Sequence, residues 1–233
     1  MSTKPDLGLK ARKENNRNTR PAVYPQHFEL DEIKEHFDEG YSTIEWLGIV
    51  AHDLLDKGDT EGYLNMLRAQ IFFLESILDF YIHEISKYSL YNMFSGTWGC
   101  SDRYYGIVVP LREVETALHT SDSKEWFFDF INRQMRHKVF LSPDNMTDQL
   151  NQDGIPFREV MHRVFNCSTE NQSHKMGRKF IQDLYDRRNA IAHQGDRDHE
   201  TSSLQKITED FVNESCEKVK AIVNAIYDIA VEK

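Results

Sequence analysis

Arg188, Asn189 and His193 are the residues of this 233-residue chain whose types and spacing most invite chemistry. A guanidinium is permanently charged and presents a planar fork of donors that matches the paired oxygens of an oxyanion. An imidazole, with an unperturbed pKa of about 6.5, accepts or gives a proton near neutrality. A carboxamide can donate to an oxyanion or orient a neighbouring ring. The same residues also admit a structural reading. Arg188 can lay its stem on apolar surface with its head in water, and His193 can be a solvated residue near a helix end, where a cation is favoured.

The segment that must position them reads as a helix. Phe180, Ile181, Leu184, Tyr185 and Ile191 recur at intervals of three and four, which predicts an amphipathic helix over about residues 175–193, stopped by Gly195. At about 100° per residue from Leu184, Arg188 lies about 40° away, inside the apolar stripe, and His193 about 180° away. Asn189 stands about 40° from His193, as its i, i+4 neighbour. Arg188 and His193 therefore do not share one face of an ideal helix. Either the helix unwinds before His193, or the arginine reaches round it, or a second surface meets the histidine face.

Arg188-Asn189, three residues and then His193 resembles the R-N-x-x-x-H signature of HEPN domains, all-helical domains many of which are metal-independent ribonucleases. Leu141-Ser142-Pro143-Asp144-Asn145-Met146, followed by Asn151-Gln152-Asp153-Gly154-Ile155-Pro156-Phe157, is similar to the segment before the Arg-His helix in the RiboL-PSP branch of that family. So is the stretch from Arg68-Ala69-Gln70 to Leu74-Glu75-Ser76, with a Glu inside an apolar run. The likeness spans about residues 41–232.

The resemblance implies an RNA endonuclease in which a 2′-hydroxyl attacks the neighbouring phosphate, leaving a 2′,3′-cyclic phosphate, with no metal and no cofactor. Arg188 would stabilise the phosphate, His193 would move protons, and Asn189 would donate to the phosphate or orient the ring. Glu75 is the expected orienting partner of Arg188, the alternative being a Glu on an exposed helix edge; Arg187 is a further supporting candidate. Lys175, Arg178, Lys179 and Arg197 put positive charge for RNA around the motif. One histidine cannot easily be base and acid within one step, so a homodimer with two motif copies at one cleft is expected, as in the family. An antitoxin or other partner protein, and a role in phage defence, toxin-antitoxin control or RNA stress response, belong to the same implication. Where the family's nucleotidylated version carries a Tyr two residues after its His, Gly195 stands here, which argues against that regulation. Two other readings stay open: a non-catalytic HEPN module binding RNA, nucleotide or a partner protein, and a purely structural helical protein.

The elements read as all-α, an antiparallel helical bundle with short helices inserted before the motif helix. Apolar spacing from Phe28 to Lys57 predicts two helices, or one broken at Gly40. Gly58-Asp59-Thr60 signals a turn and cap before a long central helix reaching about Tyr88. Residues 92–105 read as a loop, and 105–109 as a loop or a strand. Further helices are expected from Pro110 to His119, after a cap at Ser121 to Ser123, from Pro143, and from Phe157 to Phe165. The basic run Arg133-Gln134-Met135-Arg136-His137-Lys138 reads as dipole compensation or as a nucleic-acid contact. Residues 166–173 read as polar loop, and Leu204 onward as a closing helix.

Composition sets the outer bounds. With 39% hydrophobic residues, 6 Pro and 11 Gly, the body is globular and of one-domain size. Six cations against two acids give residues 1–26 a net of +4, leaving −14 for residues 27–233 of a chain at −10. The former reads as a basic flexible tail, the latter as a single domain. An acidic body disfavours broad RNA binding, so any strand must be held locally. No apolar run suits a signal peptide or a membrane span, and Cys100, Cys167 and Cys216 suggest no disulfide framework; a cytoplasmic location without membrane contact is expected. His162, Cys167 and His174 lack the tight pair that would anchor a metal site.

Overall fold

Two long helices, α1 (Leu30–Asp56) and α2 (Thr60–Ser95), form an antiparallel hairpin that sets the frame of the computed structural model, which describes residues 26–119, 124–198 and 200–233. Gly40 does not break α1, because the glycine serves packing. A Cβ there would stand 2.6 Å from Ile77 Cγ2, so only glycine allows α2 this close. The Asp59 side chain accepts from the Gly62 N–H at 2.8 Å and caps α2, which runs about two turns beyond Tyr88 to a left-handed Gly96 at φ 84°.

After a single 3-10 turn at Tyr104–Gly106 come α3 (Leu111–His119), α4 (Glu125–Met135), α5 (Pro143–Gln152) and α6 (Phe157–Phe165). Residues 107–110 are irregular, so the strand reading of 105–109 is not met. Ser142 caps α5, its hydroxyl accepting from the Asn145 N–H at 3.2 Å, with Pro143 at the first helical position. The expected cap at Ser121 to Ser123, and residues 1–25 of the expected tail, lie outside the described residues.

The motif helix α7 (Glu170–Gln194) starts earlier than its apolar pattern does. Thr169 accepts from the Gln172 N–H at 3.3 Å, and a capped polar first turn leaves no hydrophobic periodicity to read. Gly177 lets α7 lie against Met161 of α6, where any Cβ would collide. The closing helix α8 (Glu209–Val231) begins at the Thr208 cap rather than at Leu204, which sits in an isolated bridge with Arg197.

Residue pairs fix the directions. Arg68 meets Asp196 while Phe72 meets Arg188, so α7 runs against α2. Tyr63 bonds Glu209 and Tyr81 bonds the Val223 carbonyl, so α8 runs with α2. Asp31 accepts from Tyr227, which sets α8 against α1. The fold is therefore an all-α, up-down bundle of α1, α2, α7 and α8, with α3 to α6 inserted before α7. Ile71, Leu74, Leu78, Ile82 and Ile85 of α2 are fully buried and centre one shared core. Among the described residues, no helix is long and apolar enough to cross a membrane.

Candidate functional site

Helix α7 stays wound through Gln194, so unwinding does not bring His193 round to Arg188. Arg188 is half-buried; its guanidinium lies over the Phe72 ring, 5.6 Å from the centroid, and its Nη1 donates to Asn189 Oδ1 at 3.1 Å. His193 is exposed in the last turn of the helix. The wheel separating the two residues is thus realised in three dimensions, and Asn189 bonds to the arginine.

Behind this face lies Glu75, only 1% exposed. Its burial removes the exposed-edge reading. It is not a direct partner either, for no ion pair joins it to Arg188, and both Glu75 Oε2 and Arg188 Nε are buried without a hydrogen bond among the described residues. Burial pushes the Glu75 carboxyl up to about 8, with Arg188 opposing and Asp79 adding to the rise. A carboxylic acid holding its proton at neutrality therefore sits within Coulombic range of the motif arginine.

Arg187 belongs to a different network. Its Nη2 donates to Asp196 Oδ2 at 2.8 Å, its Nη1 to Gln205 Oε1 at 2.9 Å, and the same Asp196 oxygen accepts from Arg68 Nε at 2.6 Å. Asp196 is fully buried at φ 58°, directly after the left-handed Gly195. This clasp locks the turn after α7 onto α2, so Arg187 positions backbone rather than supporting Arg188. The basic residues expected around the motif scatter likewise. Arg178 is bonded to Asp144 at 2.6 Å, Lys179 to Asp183 at 2.5 Å, and Arg197 to the Ser202 carbonyl at 2.6 Å, while Lys175 is exposed.

Two features of the site escaped the sequence reading. Asp196 looked like one more residue of a polar turn; an acid directly after a helix-ending glycine, with Arg187 nine residues before it, was the available signal, while its other partner, Arg68, lies far off in sequence on α2. Phe72 and Phe73, 36% and 44% exposed, border the Arg188 face. Adjacent phenylalanines on one helix cannot both face the same core, and that was their signal. Among the described residues, no group of three His, Cys, Asp or Glu is arranged to hold a metal ion. His162 Nδ1 and the Cys167 N–H both meet Ser173 Oγ, the Cys167 thiol lies against Met176, and His174 lies edge-on to Phe157. No family model, curated protein or solved structure matches the chain.

Proposed function

We propose that the chain is a metal-independent endoribonuclease of HEPN type, with Arg188, Asn189 and His193 as its catalytic residues. The observation that carries this reading is the unsatisfied polarity at one spot. A guanidinium with a buried, unbonded Nε stands over an exposed aromatic ring, where charge is costly unless a partner arrives. A phosphodiester is such a partner, and it would take the terminal guanidinium donors left over by the single bond to Asn189, offsetting the cost of the half-buried charge. Arg188 then holds the non-bridging oxygens and stabilises the charge that builds on them during attack. Asn189, in contact with the guanidinium, fixes its plane. His193 accepts the 2′-hydroxyl proton as that oxygen attacks phosphorus, the 5′-oxygen departs, and a 2′,3′-cyclic phosphate remains. The leaving oxygen needs a proton from a second acid.

A second copy of the chain supplies that acid in this reading. The intact α7 helix keeps His193 away from Arg188, and the exposed Phe72 and Phe73 beside them offer an apolar face for a homodimer. Two motif helices then share a cleft, one His193 acting as base and the other as acid. Light scattering at micromolar concentration checks this, and a monomer rejects the shared cleft. A non-catalytic module that binds RNA, nucleotide or a partner protein is the second reading. It is favoured by one observation: among the described residues nothing hydrogen-bonds His193 to fix its ring, as a proton-transfer residue normally requires. Partnership with an antitoxin and a cytoplasmic role in phage defence, toxin-antitoxin control or RNA stress response extend the first reading.

Product analysis tests the chemistry. RNA incubated with the purified protein in chelator should be cut to fragments ending in a cyclic phosphate, and a strand with 2′-deoxyribose at the cut position should resist. RNA left whole, or cleavage of the deoxy strand at the same place and rate, rejects the mechanism.

A further inference from the structure

A strand of RNA lying on a chain of net charge −10 needs cations that the protein has not already neutralised. Around α7 most are spent, Arg178 on Asp144 and Lys179 on Asp183. The end of α4 differs. Arg133 is held by Glu113 at 2.6 Å, but the next cations, Arg136 and Lys138, and His137 between them, are exposed with no carboxylate at ion-pairing distance among the described residues. The reason is backbone docking. The link from α4 to α5 crosses α2, where Asp79 Oδ1 accepts from the Phe140 N–H at 3.0 Å and the His83 ring meets the Lys138 carbonyl oxygen at 3.2 Å. The main chain is pinned, and the basic side chains form a ridge above it.

Clefts border the ridge on both sides. One, of about 550 Å³, includes Phe80, Arg136 and Lys87, the last already paired with Glu84 of the same cleft at 2.5 Å, and the Phe80 ring is 47% exposed. The other, of about 700 Å³, includes Lys138 with the amides of Asn145, Gln149 and Gln152. Gln149 Nε2 is committed to Asp153 and Asn145 Nδ2 to the Val139 carbonyl, both at 2.8 Å, which leaves each amide oxygen without a described partner. Cations without a carboxylate partner, an open aromatic ring and free amide oxygens are groups that bind phosphates, stack bases and accept from base edges.

We propose that this ridge binds the single-stranded flank of the RNA substrate, with Arg136 and Lys138 on phosphates, Phe80 stacking one base and the amide-lined cleft taking another. The proposal rests on the ribonuclease reading for the origin of the strand. Phe72 beneath Arg188 and Phe80 beside Arg136 are eight residues apart on α2, about 12 Å, the length of roughly three to four nucleotides at about 3.4 Å each. The ridge therefore grips the strand a few nucleotides from the bond to be cut.

The test is a fluorescence-anisotropy titration of labelled single-stranded RNA with the full-length His193→Ala protein, alone and with Arg136→Ala plus Lys138→Ala, over a range of salt concentrations. Loss of two phosphate contacts should weaken binding about tenfold or more at low salt. It should also make the slope of log affinity against log salt shallower by about 1.4, or about 0.7 per phosphate. Phe80→Ala should weaken binding about fivefold or more. Equal affinity and slope with and without the ridge cations overturns the proposal, and so does no RNA binding at all, or displacement by a free mononucleotide as potent as the strand. Ridge-dependent binding by a wild-type chain that cuts nothing would end the ribonuclease reading alone. Cutting by a chain whose affinity ignores the ridge would end this proposal alone.

Discussion

Arg187 and Arg188 are neighbours in sequence and opposites in surroundings. Arg187 closes a clasp in which Asp196 Oδ2 takes one donor from it and another from Arg68, with carbonyl oxygens of Leu64, Gln205 and Lys206 completing the two guanidinium groups. One buried acceptor atom is left over, Asp196 Oδ1. Arg188 has a single hydrogen bond, to Asn189, an aromatic ring below it and a buried acid that it does not reach. The clasp uses its polarity for the fold. The Arg188 face leaves its polarity unmet, and buried groups left unmet are expected where a ligand completes them.

Breaking the clasp should have the largest effect. Asp196→Asn keeps a residue that tolerates the left-handed backbone but removes the charge shared by two buried guanidinium groups. The expected cost is about 3–5 kcal/mol, read as a lower midpoint in urea or heat. A loss no larger than that of a surface substitution would mean that the clasp does not hold the turn.

The second effect depends on pH. Burial holds Glu75 at about 8 and the fully buried Asp153 at about 7, the latter against the opposing pull of Ser86, Gln149 and Lys138. Both lie above the ordinary carboxylate range, so between about pH 4 and pH 8 the folded chain binds more protons than the unfolded chain. Stability from these groups is complete below their unfolded pKa values and is lost as pH rises through the folded ones. Each contributes a slope of up to about 1.4 kcal/mol per pH unit within its window. Melting temperature should therefore fall toward pH 8, and Glu75→Gln should flatten the upper part of that fall. An identical profile in the variant would show that Glu75 is not buried as a neutral acid.

Arg188→Met sharpens the comparison with a smaller effect. Replacing a poorly paired, half-buried cation by an apolar chain of similar length should change stability by no more than about 1 kcal/mol, in either direction. Arg187→Met should cost several times that, because Asp196 would lose one of its two partners. If the two substitutions cost the same, the division between structural and unsatisfied arginine collapses.

The bundle was legible because its signals are local. Caps at Asp59 and Ser142, the stop at Gly195 and three-four spacing recover most of the helices, whereas the Thr208 cap escapes that reading and α8 starts later than the expected Leu204. Gly40 misled because helix breaking and close packing both select glycine, and only the position of Ile77 separates them. The polar first turn of α7 carries no periodicity, so its start moved from Lys175 to Glu170. At the site, the opposed directions of Arg188 and His193 were readable from helical geometry. The roles of Arg187 and Glu75 were not, since they depend on residues 9 and 113 positions away, Asp196 and Arg188. A wheel describes one helix and says nothing of which neighbour meets its face.

His193→Ala gives the smallest structural effect and the most direct functional one. An exposed side chain without a described partner should leave the unfolding free energy within about 0.5 kcal/mol of wild type. The decisive measurement is the single-turnover cleavage rate of labelled RNA in chelator, for wild type and for this variant, with folding checked by circular dichroism. The expected result is cleavage by wild type and a loss of about 10²–10⁴-fold in a variant that remains folded; a His193→Ala protein that cuts as fast as wild type, or a wild type that cuts nothing, would contradict it.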